Sequence, residues 1–214
     1  MTTSPSVNQS FNVPSANVPA ASVPAANSSR SGATAVPAAR AYEIDVSHSS
    51  ATFKVRHMMV ANVRGELGHI TGQVVIDEGE PGRSSVEARI EVATINTRDP
   101  KRDEHLRSGD FLDIANFPQI AFKSKRVTAG KGDNLFVVGD LTVRGVTREV
   151  TLDVESISPE VNDPWGNVRR GVAARARINR KDFNIVWNAA LDGGGVVVGD
   201  EIAIDLELEL TRKP

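Results

Sequence analysis

The 214-residue chain has no cysteine, one tyrosine, two tryptophans and 5% aromatic residues overall. Without thiols it can build neither disulfides nor thiolate metal sites. It lacks any run approaching the ~18 apolar residues of a membrane-spanning helix. It also lacks an excess of one charge, with 25 Lys+Arg against 27 Asp+Glu and a net charge of −2. That balance shows no basic footprint for nucleic acid and no polybasic membrane patch.

Acidic residues are missing altogether from the first forty positions, which hold five of the eleven prolines. A five-residue repeat runs through them as VPSAN, VPAAS, VPAAN and VPAAR. Such a composition buries too little apolar surface to offset the entropy of ordering, so 1–40 reads as a disordered tail. No Lys or Arg precedes Arg30 and proline interrupts every apolar stretch, which is not the pattern of a secretory signal. The expectation is therefore a soluble, cytoplasmic protein with no integral membrane span. Arg30 and Arg40 belong to the tail, so the single domain at 41–214 carries 23 basic against 27 acidic residues.

From Ala41 the dominant pattern is alternation with a period of two. Phe53, Val55 and His57 share a face opposite Thr52, Lys54 and Arg56. Similar runs occur around Ile70–Ile76, Val86–Val92, Ile120–Ser124, Leu135–Val143, Val150–Val154 and Val172–Ile178, and most clearly at Ile202–Leu210. Gly65 and Gly68 suggest a bend, Pro81-Gly82 a turn, and Phe183–Trp187 a further short strand. The exception is Thr94–Ser124, where the helix formers of Arg102–Arg107 precede an apolar cluster of Phe111, Leu112, Ile114 and Phe117. Short helices within about 98–116, laid across one end of a β structure, would satisfy that composition. About eight meandering strands without alternating helices predict an all-β antiparallel barrel or sandwich.

Whether the interior is hollow turns on small residues at positions expected to face inward: Gly72, Ala88, Ser124, Gly139, Ala174 and Ala176. A solid core packs to crystal density and needs bulk there, whereas eight strands are just wide enough to hold one ligand. Glycine and alanine also sit at bends or opposite large partners, so both readings stay open on pattern alone.

Six segments in order resemble the YceI family of lipocalin-like, polyisoprenoid-binding proteins. They are YEIDVSHSSATFKVRH (42–57), VRGELGHITG (63–72), INTRDPKRDEHLRSGDFLD with NFPQIAFKS, VVGDLTVRGVTREVTL (137–152), INRKDFN (178–184) and VVVGDEIAIDLELEL (196–210). The resemblance covers 41–214 and implies an eight-stranded antiparallel lipocalin-like barrel whose long apolar pore holds an isoprenoid or similar lipid, with helices closing one end. It is compatible with a homodimer. Many family members are periplasmic; Asn184 stands where the motif often has Gly.

Under that reading the residues expected to touch the lipid are Phe53, Val55, His57, Met58 and Met59 from the first hairpin and Phe111 and Phe117 from the cap. Phe122, Ser124, Leu141, Val143, Ala174, Ala176 and Trp187 complete the set from the remaining wall. His57, Arg126 and Arg144, near strand ends, are candidates to meet a polar head. His48, His57, His69 and His105 have no zinc-site spacing, so no metal or other cofactor is expected. His105 with Asp103 and Ser108 lacks the nucleophile elbow of a hydrolase. The leading expectation is non-enzymatic lipid carriage or storage. The alternatives are a lipid-modifying enzyme using His57 or His105, and a protein-interaction barrel with a filled core.

Overall fold

The computed structural model describes residues 39–212 apart from Lys131 and Asp133. The expected tail at 1–40 lies outside the described residues up to position 38. β1 (Arg40–Ile44) opens the domain, followed by β2 (Ser50–His57), β3 (Ala61–Glu66), β4 (His69–Ile76) and β5 (Ser85–Glu91). α1 (Pro100–Arg107) precedes β6 (Gln119–Ala129), β7 (Leu135–Val143), β8 (Val146–Ile157), β9 (Val161–Asn162), β10 (Val168–Asn179) and β11 (Val198–Arg212).

These strands form one closed antiparallel barrel of eight staves. Strand and stave counts differ because two staves are interrupted and β9 is a short flap on β10. β11 pairs with β1 at Leu210–Thr211 and with β2 from Glu207 down to Val198, so β1 and β2 are halves of one stave. β3 and β4 form its neighbour in the same way, with the break at Leu67-Gly68. The order then runs β4–β5–β6–β7–β8–β10, and β10 closes on β11 from Val168↔Arg212 to Asn179↔Glu201.

The two ends differ. At one, the long β5–β6 connection crosses the opening. Asp99 caps α1 by accepting from the Lys101 and Arg102 amides, and Pro100 takes the first helical turn, where its missing N–H is no loss. Arg107 pins the helix by donating to the Ala93 and Ile95 carbonyls at 2.9 and 2.8 Å. The buried Asp103 carboxylate accepts from the Thr97 amide and hydroxyl. Residues 108–116 continue as turns, so α1 is the helix within the expected 98–116 span, and a 3-10 turn at Val92–Thr94 precedes it.

At the other end the inward side chains Tyr42, Ile44, Ile76, Val127 and Leu210 are buried and pack as a floor. Beside them Arg170 donates to the Ser158 carbonyl and to Glu78, each at 2.7 Å. Glu160 gathers the Tyr42 hydroxyl, Arg40 and Arg212, tying the β8–β9 connection to β1 and β11.

The expected strand at Phe183–Trp187 is absent. A 3-10 turn at Arg180–Phe183 ends on Asn184 at φ 58, a left-handed position that Asn tolerates better than most residues, and a loop follows.

Candidate functional site

β11 shows that the interior is hollow. Ile202, Ile204, Leu206 and Leu208 face inward yet remain half-buried, whereas Leu210, next in the same row, is fully buried in the floor. The half-buried residues border a cavity of about 570 Å³, within the roughly 300–1,000 Å³ of small-molecule sites. Its wall takes inward residues from every stave. From Ile202 to Leu208 it follows roughly 20 Å of strand at ~3.4 Å per residue.

Ten of the expected ligand-contact residues lie in that wall: Phe53, Val55, His57, Phe111, Phe122, Leu141, Val143, Ala174, Ala176 and Trp187. The others do not. Met58 and Met59 are exposed on the β2–β3 turn, 42% and 54% accessible. Phe117 lies over the β7–β8 turn, so close that a Cβ on Gly145 would meet its ring at 2.6 Å. Ser124 spends its hydroxyl accepting the Val86 amide at 2.8 Å. A bulge between Ser124 and Arg126 inserts one residue and reverses the parity of β6, so Val127 turns inward and Arg126 outward. Arg126 therefore pairs with Glu149 at 3.2 Å on the outer face. Arg144 donates to the carbonyls of Asn184 and Gly109, bracing the cap rather than meeting a ligand.

Of the small residues expected inside, Ala88, Ala174 and Ala176 open space in the wall. Gly72 and Gly139 do not: a Cβ would meet the Glu87 carbonyl oxygen at 2.2 Å and that of Lys123 at 2.5 Å. They are glycine because neighbouring backbone comes too close.

The polar part of the wall lies at the capped end: Arg56, His57, Asp99, Lys101, Arg102 and His105. Among the described lining residues only Arg56 and Lys101 are exposed, which places the mouth between the β2–β3 hairpin and α1. Arg102 is held by Thr97 through Nε at 2.7 Å and Nη2 at 2.9 Å. His105 sits edge-on to Phe111 and Trp187, with ring centroids 4.9 and 4.8 Å away, and its Nε2 is 2.9 Å from Asp110. Arg180, 2% exposed, donates to the carbonyls of Gly199, Ile185, Trp187 and Val198. Burial pushes its guanidinium below the usual value, and Asp200 opposes that shift. Of these, the sequence singles out His57, as a head-group candidate, and His105, as the residue an enzymatic alternative would use with it. The Asp99-Pro100 start signal fixes the α1 register and so indicates that Lys101 and Arg102 stand at its first turn. Arg180 lies in the INRKDFN segment that carries part of the family resemblance, but alternation does not mark it as a buried brace.

Asp45, His48 and Glu209 come together at the far end with metal-like spacing. The space between the carboxylates already holds a cation, because Arg169 donates to Asp45, to Glu209 at 2.6 Å and to Asp163 at 2.9 Å.

The YceI-like domain family matches residues 42–210. A UPF0312 protein of Staphylococcus aureus (strain N315) is 36% identical over 170 residues, covering 79% of this chain and 96% of its own. BcnA of Burkholderia cenocepacia superposes with a TM-score of 0.68 at 22% identity, over 78% of this chain and 98% of that one. A polyisoprenoid binding domain from Saccharophagus degradans, implicated in plant cell wall breakdown, gives a TM-score of 0.55 at 14% identity, over 81% and 98%. At these identities the two structural likenesses are ones of fold.

Proposed function

Because the chain belongs to the YceI-like domain family, we propose that it binds an isoprenoid or similar apolar lipid in the barrel cavity, for carriage or storage. The observation that carries this reading is the row on β11, where four inward aliphatic side chains border empty space and the next is sealed. Unfilled apolar space of this size gives little stability to the protein alone and a large gain to an apolar guest. Each CH₂ transferred from water is worth roughly 0.8 kcal/mol gross, so a few five-carbon units supply the ~8 kcal/mol of micromolar binding after association costs. The polar ring at the mouth orients the molecule, with chain inward and head toward Arg56, Lys101 and His57. The Saccharophagus domain, polyisoprenoid binding by its description, has the same fold and supports this ligand class.

His105 and Asp110 are the pair that an enzymatic alternative would use. Among the described lining residues there is no Ser, Thr, Cys or Tyr to act as a nucleophile, and the aromatic packing of His105 suits a wall better than a proton shuttle. Native mass spectrometry of protein purified from its own host tests the proposal. The expected result is a co-purifying apolar mass that Ala176→Phe removes while the circular dichroism spectrum is unchanged. A folded Ala176→Phe protein carrying the same mass would place the lipid elsewhere. Conversion of the bound mass over time, abolished by His105→Ala, would favour the enzyme.

A further inference from the structure

The β2–β3 hairpin stands beside the cavity mouth and ends in Met58, Met59 and Val60, which are 42%, 54% and 77% exposed. The Val60 amide donates to the His57 carbonyl at 3.1 Å, and the two central residues have φ of 48° and 60°. Such a turn favours Asn-Gly, since both central residues must be left-handed. The β7–β8 turn meets the same demand with Gly145 at its second position, φ 72°. At β2–β3 two methionines occupy the strained positions and are held out in solvent. Arg56 braces the turn by donating from Nε and Nη2 to the Met59 carbonyl at 3.1 and 2.8 Å, which fixes the backbone and leaves both side chains exposed.

The apolar tip continues onto the β10–β11 loop. The Met58 amide donates to the Val197 carbonyl at 2.8 Å, and Met59 and Leu191 both reach Gly195. Val196 is exposed on the same loop. Behind the tip the hairpin is basic. Lys54 pairs directly with Arg64 across the strands, a like-charge juxtaposition that weakens a sheet, and Arg56 lies one turn of alternation nearer the tip. Among the described residues none of Lys54, Arg56, Arg64 or the neighbouring Lys101 forms a salt bridge. The sequence has no polybasic run; strand register assembles this patch. An apolar tip backed by cations that no described carboxylate neutralises matches an interface whose outer layer is anionic and whose inner layer is hydrocarbon.

We propose that the Met58-Met59-Val60 tip docks the protein on anionic lipid bilayers, setting the cavity mouth against the membrane. A ligand then passes between bilayer and barrel without crossing water. Docking is separable from cavity binding, because neither methionine lines the cavity.

Flotation of the full chain with phosphatidylcholine–phosphatidylglycerol vesicles tests this. Wild type is expected to float with these vesicles and not with pure phosphatidylcholine. Replacing Met58→Asn and Met59→Gly together supplies the residues the turn favours, and should lower partition at least about tenfold by removing apolar contact area. The same variant, in a Trp165→Phe background, should still take up a soluble dansyl-tagged farnesol, read by energy transfer from Trp187 in the wall, which shows that it is folded and that its cavity works. Ala176→Phe should do the reverse, floating normally without taking up the probe. The proposal is overturned if wild type stays in solution or if the Met58/Met59 variant floats undiminished. Loss of flotation in folded Ala176→Phe would also overturn it, by tracing vesicle association to uptake of lipid into the cavity. Concentration-dependent self-association that vanishes in the Met58/Met59 variant would assign the tip to a second copy instead.

Discussion

Arg180 stands where the cavity wall, the β10–β11 loop and the start of β11 meet. Its fork holds the carbonyls of Ile185 and Trp187 on one side and of Gly199 and Val198 on the other, and with Asn188, which bonds the Val198 amide and carbonyl, it holds the loop that carries Trp187. Arg180→Met keeps an apolar stem but leaves buried acceptors without donors. Because each such group costs about 1–3 kcal/mol, a net loss of about 3 kcal/mol is expected in urea unfolding. Amides of 185–198 should exchange sooner than those of β10. Arg180→Lys should recover little, since an ammonium cannot span carbonyls on both sides. A stability change confined to a few tenths of a kcal/mol would mean that the loop is held by something else. The tip methionines run the other way: left-handed conformations cost a non-glycine residue roughly 1–2 kcal/mol, so the Met58→Asn, Met59→Gly protein should melt higher than wild type.

At the scale of strands and turns, alternation identifies a wall until an irregularity intervenes. β11 reads correctly from Ile202 to Leu210, where the row keeps its period of two, the irregularity against β2 lying before Ile202. β6 reads correctly through Phe122 and then fails at Arg126, because one residue inserted beside Gly139 reverses every later side chain. The cap was legible as a break in alternation. Its details were not, because the braces of Arg107 and Arg144 run to backbone carbonyls that no side-chain pattern records. Nor was the floor's ionic tie, which joins residues more than a hundred positions apart, as Tyr42 and Glu160 show. The Tyr42 hydroxyl, with Arg212 and Arg40 beside it, outweighs burial and lowers the Glu160 carboxyl from 4.5 to about 2. Asp45 is lowered chiefly by Arg169, and Asp163 chiefly by Asn167. A carboxylate with a depressed folded pKa contributes stability that is complete above its unfolded value and lost as pH falls through the folded one. Thermal midpoints should therefore drop between pH 4.5 and about 2. Glu160→Gln should melt lower at neutral pH and show a shallower acid decline. Parallel curves for the two proteins would remove Glu160 from the account.

At the largest scale, what matters is that the described residues leave the barrel open at one end and close it at the other. The sequence left hollow and filled interiors undecided because Ala174 and Ala176 look alike in either; the sealed Leu210 beside the half-open Leu208 distinguishes them. A blind tube makes depth a variable. Along β10 the inward row runs from Ile178 near the mouth through Ala176 and Ala174 to Val172, and then meets the floor at Arg170. Ala176 and Val172 are separated by about 10 Å along the barrel axis at ~3.4 Å per residue and a strand tilt near 40°. A large side chain at each depth should act differently. Ala176→Phe obstructs the path of every chain, so affinity for short and long prenols alike should fall. Val172→Phe takes up only the deepest space, so short prenols should bind as before and long ones weakly. Each CH₂ left outside forfeits roughly 0.8 kcal/mol, about fourfold in Kd. Titrating a ladder of prenols against both variants, with fluorescence of Trp187 as the readout and Trp165 replaced by Phe, measures the difference. If Val172→Phe weakens short and long chains by the same factor, ligands do not enter from the capped end, and the polar ring of Arg56, His57 and Lys101 is not where their heads reside.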